Sequence, residues 1–210
     1  MQQSTIQTRL YYALLWLIAI LFALAIPLVP ARTELRVDIT RGQVEPMPIA
    51  VSPFFTDLLG PNANFAQDVP KIIAQNLQGS GLFKPVNNEA FVQNAASIKT
   101  DGVRFPEWRA TATQALVTGT VTQAENGKAR IEFRLWDVFS EKQLIGLAYT
   151  TTPDNWRRIA HIISDEVYKR LTGEESYFDS RIVYIAESGP KDARVKRLAI
   201  MDSDGANVKY

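Results

Sequence analysis

The chain of 210 residues contains no cysteine and only one histidine. The lack of cysteine excludes disulfides, thiol nucleophiles and cysteine-ligated metals. One histidine cannot supply the several nitrogen or sulfur ligands of a zinc site. Excess charge is also missing, because 23 Lys and Arg face 22 Asp and Glu. Without clustered basic residues, a nucleic-acid-binding surface is not expected.

The composition is that of a folded protein, with 46% hydrophobic and 21% charged residues. An uncharged apolar segment spans residues 11–26, preceded by Arg9 and ended by a small-residue pattern at Ala31. This pattern predicts a cleaved secretory signal peptide over residues 1–31. An uncleaved membrane anchor stays open, because a spanning helix needs about 20 apolar residues. Both alternatives export the rest of the chain.

Alternation of apolar and polar residues predicts three consecutive strands, at 115–123, 129–138 and 143–150. Asn126-Gly127 suits the positive φ angles of a hairpin turn between the first two. A short buried strand is predicted at 49–51. One face of this sheet is expected to be solvated and the other packed.

Two amphipathic helices are predicted to pack on the sheet. Asp68 is the predicted cap of the first, and Thr152 caps the second, which ends at Gly173. The apolar face of the first helix consists of Val69, Ile72, Ile73 and Leu77. Residues 32–173 therefore read as one α/β domain, a mixed sheet with packed helices.

The sequence pattern changes from helical to strand-like after Gly173. Two strands are predicted, at 180–186 and 197–201, followed by a turn at 202–207. Two strands alone bury too little surface to be stable. Residues 174–210 are therefore predicted to be a linker and the first hairpin of a β-rich second domain, whose remainder is expected to be absent from the sequence.

No catalytic constellation is found. His161 lies beside the apolar stripe of the second helix and is predicted to be a structural or inter-domain hydrogen-bonding residue. The run Asp202-Ser203-Asp204-Gly205 lacks the ligand spacing of a calcium loop and is predicted to be a turn. We expect no enzyme activity, cofactor, metal or small-molecule substrate.

The segment that follows the predicted cleavage point is a candidate partner-binding strand. Its ten residues are Thr33, Glu34, Leu35, Arg36, Val37, Asp38, Ile39, Thr40, Arg41 and Gly42. Leu35, Val37 and Ile39 share one face, which is the period of a strand. The segment is either the first strand of the core or a docking strand that adds to the sheet edge of a partner. Periodicity alone does not choose between the two.

Ordered motifs along residues 34–210 resemble the TolB family of the Tol-Pal system. The runs that carry the resemblance are Leu35–Gly42, Pro46–Val51, Asp68–Leu77, Ser80–Phe83, Phe105–Arg109, Ala115–Gly119, Arg134–Asp137, Trp156–His161, Ser164–Tyr168, Leu171–Glu174 and Phe178–Ile182. Their shared order and spacing make the resemblance specific. The second strand departs from the family pattern slightly, reading Val51-Ser52-Pro53.

The resemblance implies an α/β amino-terminal domain followed by the first hairpin of an incomplete β-propeller. It implies a non-catalytic periplasmic adaptor that links TolA to Pal, supports outer-membrane integrity and cell division, and is exploited by colicins for import. It also favours the docking strand at 33–42 as the TolA-binding segment. Pal binding is implied for the propeller, so no residue here is assigned to it.

Two other hypotheses remain open. The chain could be part of an exported enzyme or solute-binding protein whose active part lies beyond Tyr210. A membrane-anchored structural protein would follow from an uncleaved leader.

Overall fold

The computed structural model describes residue 35 and residues 45–210. The predicted signal peptide and all of the predicted docking strand except Leu35 lie outside the described residues. Within the described part, no helix has both the length and the apolar character of a membrane span.

The described chain folds into eight strands and four α-helices. The strands are β1 (Met47–Val51), β2 (Phe55–Thr56), β3 (Phe83–Pro85), β4 (Ala115–Gln123), β5 (Ala129–Asp137), β6 (Lys142–Thr151), β7 (Arg181–Ser188) and β8 (Val195–Asp202). The helices are α1 (Phe65–Gly79), α2 (Ala95–Asp101), α3 (Phe105–Ala110) and α4 (Trp156–Thr172).

The larger sheet is mixed, with the strand order β3-β1-β4-β5-β6 and β2 added beside β4. Strand β1 runs parallel to β3 and β4, whereas β4, β5 and β6 form an antiparallel meander. The turn between β4 and β5 places Asn126 and Gly127 at φ angles of 56° and 73°. The three strands predicted for the meander are confirmed to within one residue at each end.

Helices α1 and α4 pack together over one face of this sheet and enclose the main core. The predicted apolar face of α1 is confirmed, because its four members are at most 5% exposed. In β5, Ile131, Phe133 and Leu135 point into the same core, while Arg130 and Arg134 alternate outward. This is the period-two pattern that the sequence predicts for a half-buried strand.

A smaller core lies on the opposite face. Trp108 of α3 is 1% exposed and packs with Ala50, Leu116 and Val138. The indole Nε1 of Trp108 donates to Oε1 of Gln93 at 3.1 Å. This face is therefore closed where α3 covers it and solvated along the outer strands.

The start of α1 corrects the predicted cap. The helix begins at Phe65, directly after a 3-10 turn over Pro61–Asn64, so Asp68 lies inside the first turn. No side chain caps this end, because the preceding turn already leads the backbone into the helix. An acidic residue in the first turn still suits the positive end of the helix dipole.

The start of α4 corrects the second predicted cap. Thr152 precedes a 3-10 turn over Pro153–Asn155 and makes no side-chain capping bond, so α4 itself begins at Trp156. The backbone carbonyl of Thr152 accepts from the amide of Asn155 at 3.0 Å, which closes the turn. The predicted end at Gly173 is confirmed, since this residue adopts a left-handed φ of 81°.

Strands β7 and β8 form a separate two-stranded antiparallel sheet. The register places Arg181 opposite Asp202, and a single bridge joins Ile200 to Lys209 as the chain turns back. The described residues nevertheless belong to one compact unit. The domain boundary after Gly173 stays a prediction.

Candidate functional site

The only histidine of the chain lies at the junction between α4 and the terminal hairpin. His161 is 2% exposed. Helical spacing places Arg157 one turn before it and Ser164 about one turn after it, on the same side of α4. Polar side chains thus follow one edge of a helix whose remaining inner face is apolar.

A buried hydrogen-bond network fixes the histidine ring. The hydroxyl of Ser164 donates to the carbonyl oxygen of Ala160 at 2.8 Å, so its oxygen accepts from Nδ2 of Asn76 at 2.9 Å. The same Nδ2 lies 2.9 Å from Nδ1 of His161. Because the amide donates one hydrogen to each partner, Nδ1 is an acceptor and the neutral ring carries its proton on Nε2.

The protonated nitrogen faces the hairpin. Nε2 of His161 lies 3.4 Å from Oδ2 of Asp204, an electrostatic contact without hydrogen-bond geometry, and it has no hydrogen-bond partner among the described residues. Asp204 stands in the turn after β8, where Gly205 adopts a φ of 83°. The histidine therefore links the α/β layer to the predicted start of the second domain.

Asp204 is held mainly by an arginine. Nη2 and Nε of Arg157 lie 2.6 and 2.9 Å from its Oδ2, and Oδ1 accepts from the amide of Ala206 at 3.1 Å. Partial burial by itself would raise the pKa of Asp204, but the bonds from Arg157 and Ala206 outweigh it. The pKa is consequently held below its ordinary value of 3.8.

A second set of contacts fastens the chain between α4 and the hairpin. Asp165 of α4 accepts the backbone amides of Phe178 and Asp179, at 2.8 and 3.0 Å. Arg158 forms a two-pronged ion pair with Asp179, at 3.1 and 3.2 Å. The hydroxyl of Ser203 donates to the carbonyl oxygen of Phe178 at 2.6 Å. Together these contacts hold the hairpin against α4 at several points.

A cleft of about 670 Å³ opens between the first turn of α4 and the hairpin. Three possible cation ligands, His161, Asp202 and Asp204, lie within 4.8 Å of one another at this junction. Both carboxylates already have partners, since Arg157 binds Oδ2 of Asp204 and Asn207 donates to Asp202 at 2.5 Å. Nε2 of His161 is the one buried side-chain nitrogen or oxygen without a hydrogen-bond partner among the described residues.

The predicted docking strand contributes one described residue. Leu35 is half-buried and packs against the main core. The other nine residues of Thr33–Gly42 lie outside the described part. Whether this segment is a core strand or a docking strand therefore stays a prediction.

Several residues of the junction escape prediction from the sequence. Asn76 interrupts the apolar face of α1 and is 8% exposed, a buried amide that signals a specific partner. Arg157, Arg158 and Asp165 look like ordinary solvated residues of an amphipathic helix. Their partners are far along the chain, so no local pattern indicates them.

The hairpin exposes apolar side chains. Ile182, Val183, Ile185 and Leu198 are 41%, 59%, 57% and 65% exposed. Two strands cannot bury both of their own faces. This exposure agrees with the prediction that the hairpin is the beginning of a larger β structure.

The amino-acid sequence is similar to those of known proteins. The family model of the TolB amino-terminal domain matches residues 35–144. The Tol-Pal system protein TolB of Paramagnetospirillum magneticum is 49% identical over 181 residues, which are 86% of this chain and 40% of that protein. This chain thus spans about 40% of the length of that curated relative.

The fold has a counterpart among solved structures. The crystal structure of TolB from Acinetobacter baumannii superposes with a TM-score of 0.65 at 24% identity, and the match covers 84% of this chain and 41% of that one. This confirms the fold predicted from the sequence. The chain belongs to the TolB amino-terminal domain family.

Proposed function

We propose that the chain is the amino-terminal part of a non-catalytic periplasmic adaptor of the Tol-Pal system, which joins TolA to Pal. The observation that carries the proposal is the 49% identity to a Tol-Pal system TolB protein, which extends over 181 residues. The match covers 86% of this chain.

The geometry of the only histidine supports a non-catalytic role. Both ring nitrogens of His161 face protein groups, Nδ1 towards Asn76 and Nε2 towards Asp204. A general base needs a nitrogen within reach of a substrate proton, whereas the ring of His161 is only 2% exposed. His161 instead serves as an inter-domain structural residue.

We assign TolA binding to the strand at Thr33–Gly42. The strand docks by adding to a sheet edge of TolA, since its alternating pattern gives one apolar and one polar face.

Calorimetry with the carboxy-terminal domain of TolA from the same organism tests this assignment. Residues 32–210 are compared with residues 45–210 and with a matched control in which the ten residues of Thr33–Gly42 are shuffled. We expect binding by the first protein alone, because the shuffle keeps composition and length but destroys the alternation. Equal binding by all three would move the site elsewhere. No binding by any folded form would count against TolA binding by this part of the chain.

Export is the second part of the proposal. We expect the signal peptide to be removed near Ala31, giving a periplasmic protein whose new amino terminus is Arg32. Mass spectrometry of the protein released from the periplasm measures this directly. Recovery of an intact chain in the membrane fraction would support the anchored alternative.

Pal binding, outer-membrane integrity, cell division and colicin import belong to the whole protein. We propose that they require the propeller that follows the hairpin, in addition to the strand at 33–42. The test is rescue of detergent resistance in cells that lack the protein. The full-length protein is expected to restore resistance and the 210-residue chain is not. Rescue by the shorter chain would place the essential surface within it.

A further inference from the structure

One buried amide lies on the apolar face of α1. Asn76 is 8% exposed and stands among Ile72, Ile73 and Leu77, which belong to the main core. Burial of an amide is unfavourable unless its hydrogen bonds are made. Both amide hydrogens are directed at α4, one at Ser164 and one at His161.

The orientation of this amide follows from the partners on α4. The hydroxyl hydrogen of Ser164 is used by the carbonyl of Ala160, so the serine can only accept from Asn76. A flipped amide would set its carbonyl oxygen against the lone pairs of Ser164 and would require the opposite tautomer, Nδ1–H, at His161. The arrangement therefore admits one amide orientation and one tautomer of the neutral ring.

The selected tautomer matches the group on the other side of the ring. Nε2 lies 3.4 Å from the carboxylate of Asp204 without forming a hydrogen bond, so a proton on Nε2 is attracted electrostatically, whereas the opposite tautomer would place a lone pair next to a negative charge. Arg157 and Asp202 are charged groups next to Asp204, and Asp154, Arg158, Asp179, Arg181 and Lys209 also line the cleft. Asn76 and Asp204 thus favour the same state of His161 from opposite sides.

We propose that Asn76 is a positioning residue for the terminal hairpin, which it controls through the tautomer and ring orientation of His161. The side chain of Arg157 is flexible and 26% exposed, so it can follow the hairpin as it moves. The imidazole of His161 is buried and cannot follow the hairpin in this way. The relay Asn76–His161–Asp204 therefore sets one position of the hairpin relative to α1 and α4.

The first test uses the single histidine, whose ring gives one assignable set of nuclear magnetic resonance signals. In Asn76→Asp the carboxylate can only accept, so Nδ1 must carry a proton while Asp204 keeps the proton on Nε2. We expect His161 to keep both ring protons to a higher pH than in the unsubstituted chain. Gln75→Asp is the matched control, because it adds the same charge at an exposed position of α1. Equal upward shifts in both variants would overturn the relay.

The second test measures coupling between positions 76 and 204. Asn76→Ala, Asp204→Asn and the double variant are compared by hydrogen exchange at the amide of Phe178, which binds Asp165 and reports release of the linker from α4. We expect the effects on the exchange rate to deviate from additivity by about twofold or more, as in residues of one network. If the buried carboxylate of Asn76→Asp prevents folding, Asn76→Ala still tests the relay by this measurement.

The same three variants in a His161→Phe background complete the test. Phenylalanine fills the ring volume but has no nitrogen, so the deviation from additivity is expected to disappear. Additive effects in the original background would overturn the proposal. So would coupling that persists without the imidazole, because it would then pass through another contact. Neither outcome depends on TolA binding, which is tested separately.

Discussion

Gly119 of β4 lies close to the ring of Phe54 and to the neighbouring strand, and its replacement by alanine provides a quantitative test of the packing. A Cβ atom at this position would lie 2.5 Å from the backbone oxygen of Glu132 and 2.7 Å from two ring carbons of Phe54. Phe54 is only 2% exposed, so its ring has little room to move. The oxygen of Glu132 belongs to the neighbouring strand and can shift only by distorting the β4–β5 ladder.

Overpacking of this kind costs about 1–3 kcal/mol in the free energy of unfolding. We expect Gly119→Ala to fall in that range, measured by urea unfolding with tryptophan fluorescence at constant m-value. The matched control is Gly79→Ala at the last residue of α1, where a Cβ meets no atom within 4 Å and φ is not positive. That variant is expected to be neutral or to gain up to about 1 kcal/mol. Equal stability of both variants would refute the steric reasoning.

Three further predictions concern buried or paired groups. Trp108→Phe should lower the free energy of unfolding by about 1–2 kcal/mol, because Gln93 loses the indole donor. Trp108→Ala should lower it by about 3–5 kcal/mol, because it also leaves a cavity. Urea titration that gives the opposite order would contradict the packing described. Asp165→Asn, which keeps only one acceptor for the amides of Phe178 and Asp179, should cost about 1 kcal/mol and speed their hydrogen exchange; unchanged exchange would mean that this clamp is not needed. Because the pKa of Asp204 is lowered on folding, this residue contributes its full stabilisation above pH 3.8, and the stabilisation is lost as the pH falls through the lower pKa of the folded state. The loss of stability at acidic pH should therefore be less steep in Asp204→Asn. An unchanged pH dependence of the free energy of unfolding would count against the pairing with Arg157.

The elements with strong local patterns could be predicted from the sequence. The meander β4–β5–β6, the apolar face of α1 and the glycine end of α4 are each specified by residues close together in the chain. Both helix starts were predicted wrongly at Asp68 and Thr152. A 3-10 turn precedes each of these helices and leads the backbone into it, so no side chain is needed as a cap.

The candidate site could be predicted only in part. The single histidine was visible in the sequence, and its place on the edge of an amphipathic helix indicated a structural hydrogen bond. Its partners were not visible, because Asn76 is 85 residues away along the chain. Asp204 looked like any Asp-Gly turn residue until the hairpin was folded against α4.

The sequence by itself therefore determined the identity of the family, the elements and their inward faces, because these depend on periodicity and local backbone preference. The tertiary structure alone decided which polar residues meet. The chain passes through α1 between β1 and its parallel partner β3, and α1 packs against α4, which sets Asn76 against His161. Hydrogen bonds are directional and short, so a partner distant along the chain becomes defined only when the packed helices fix its position.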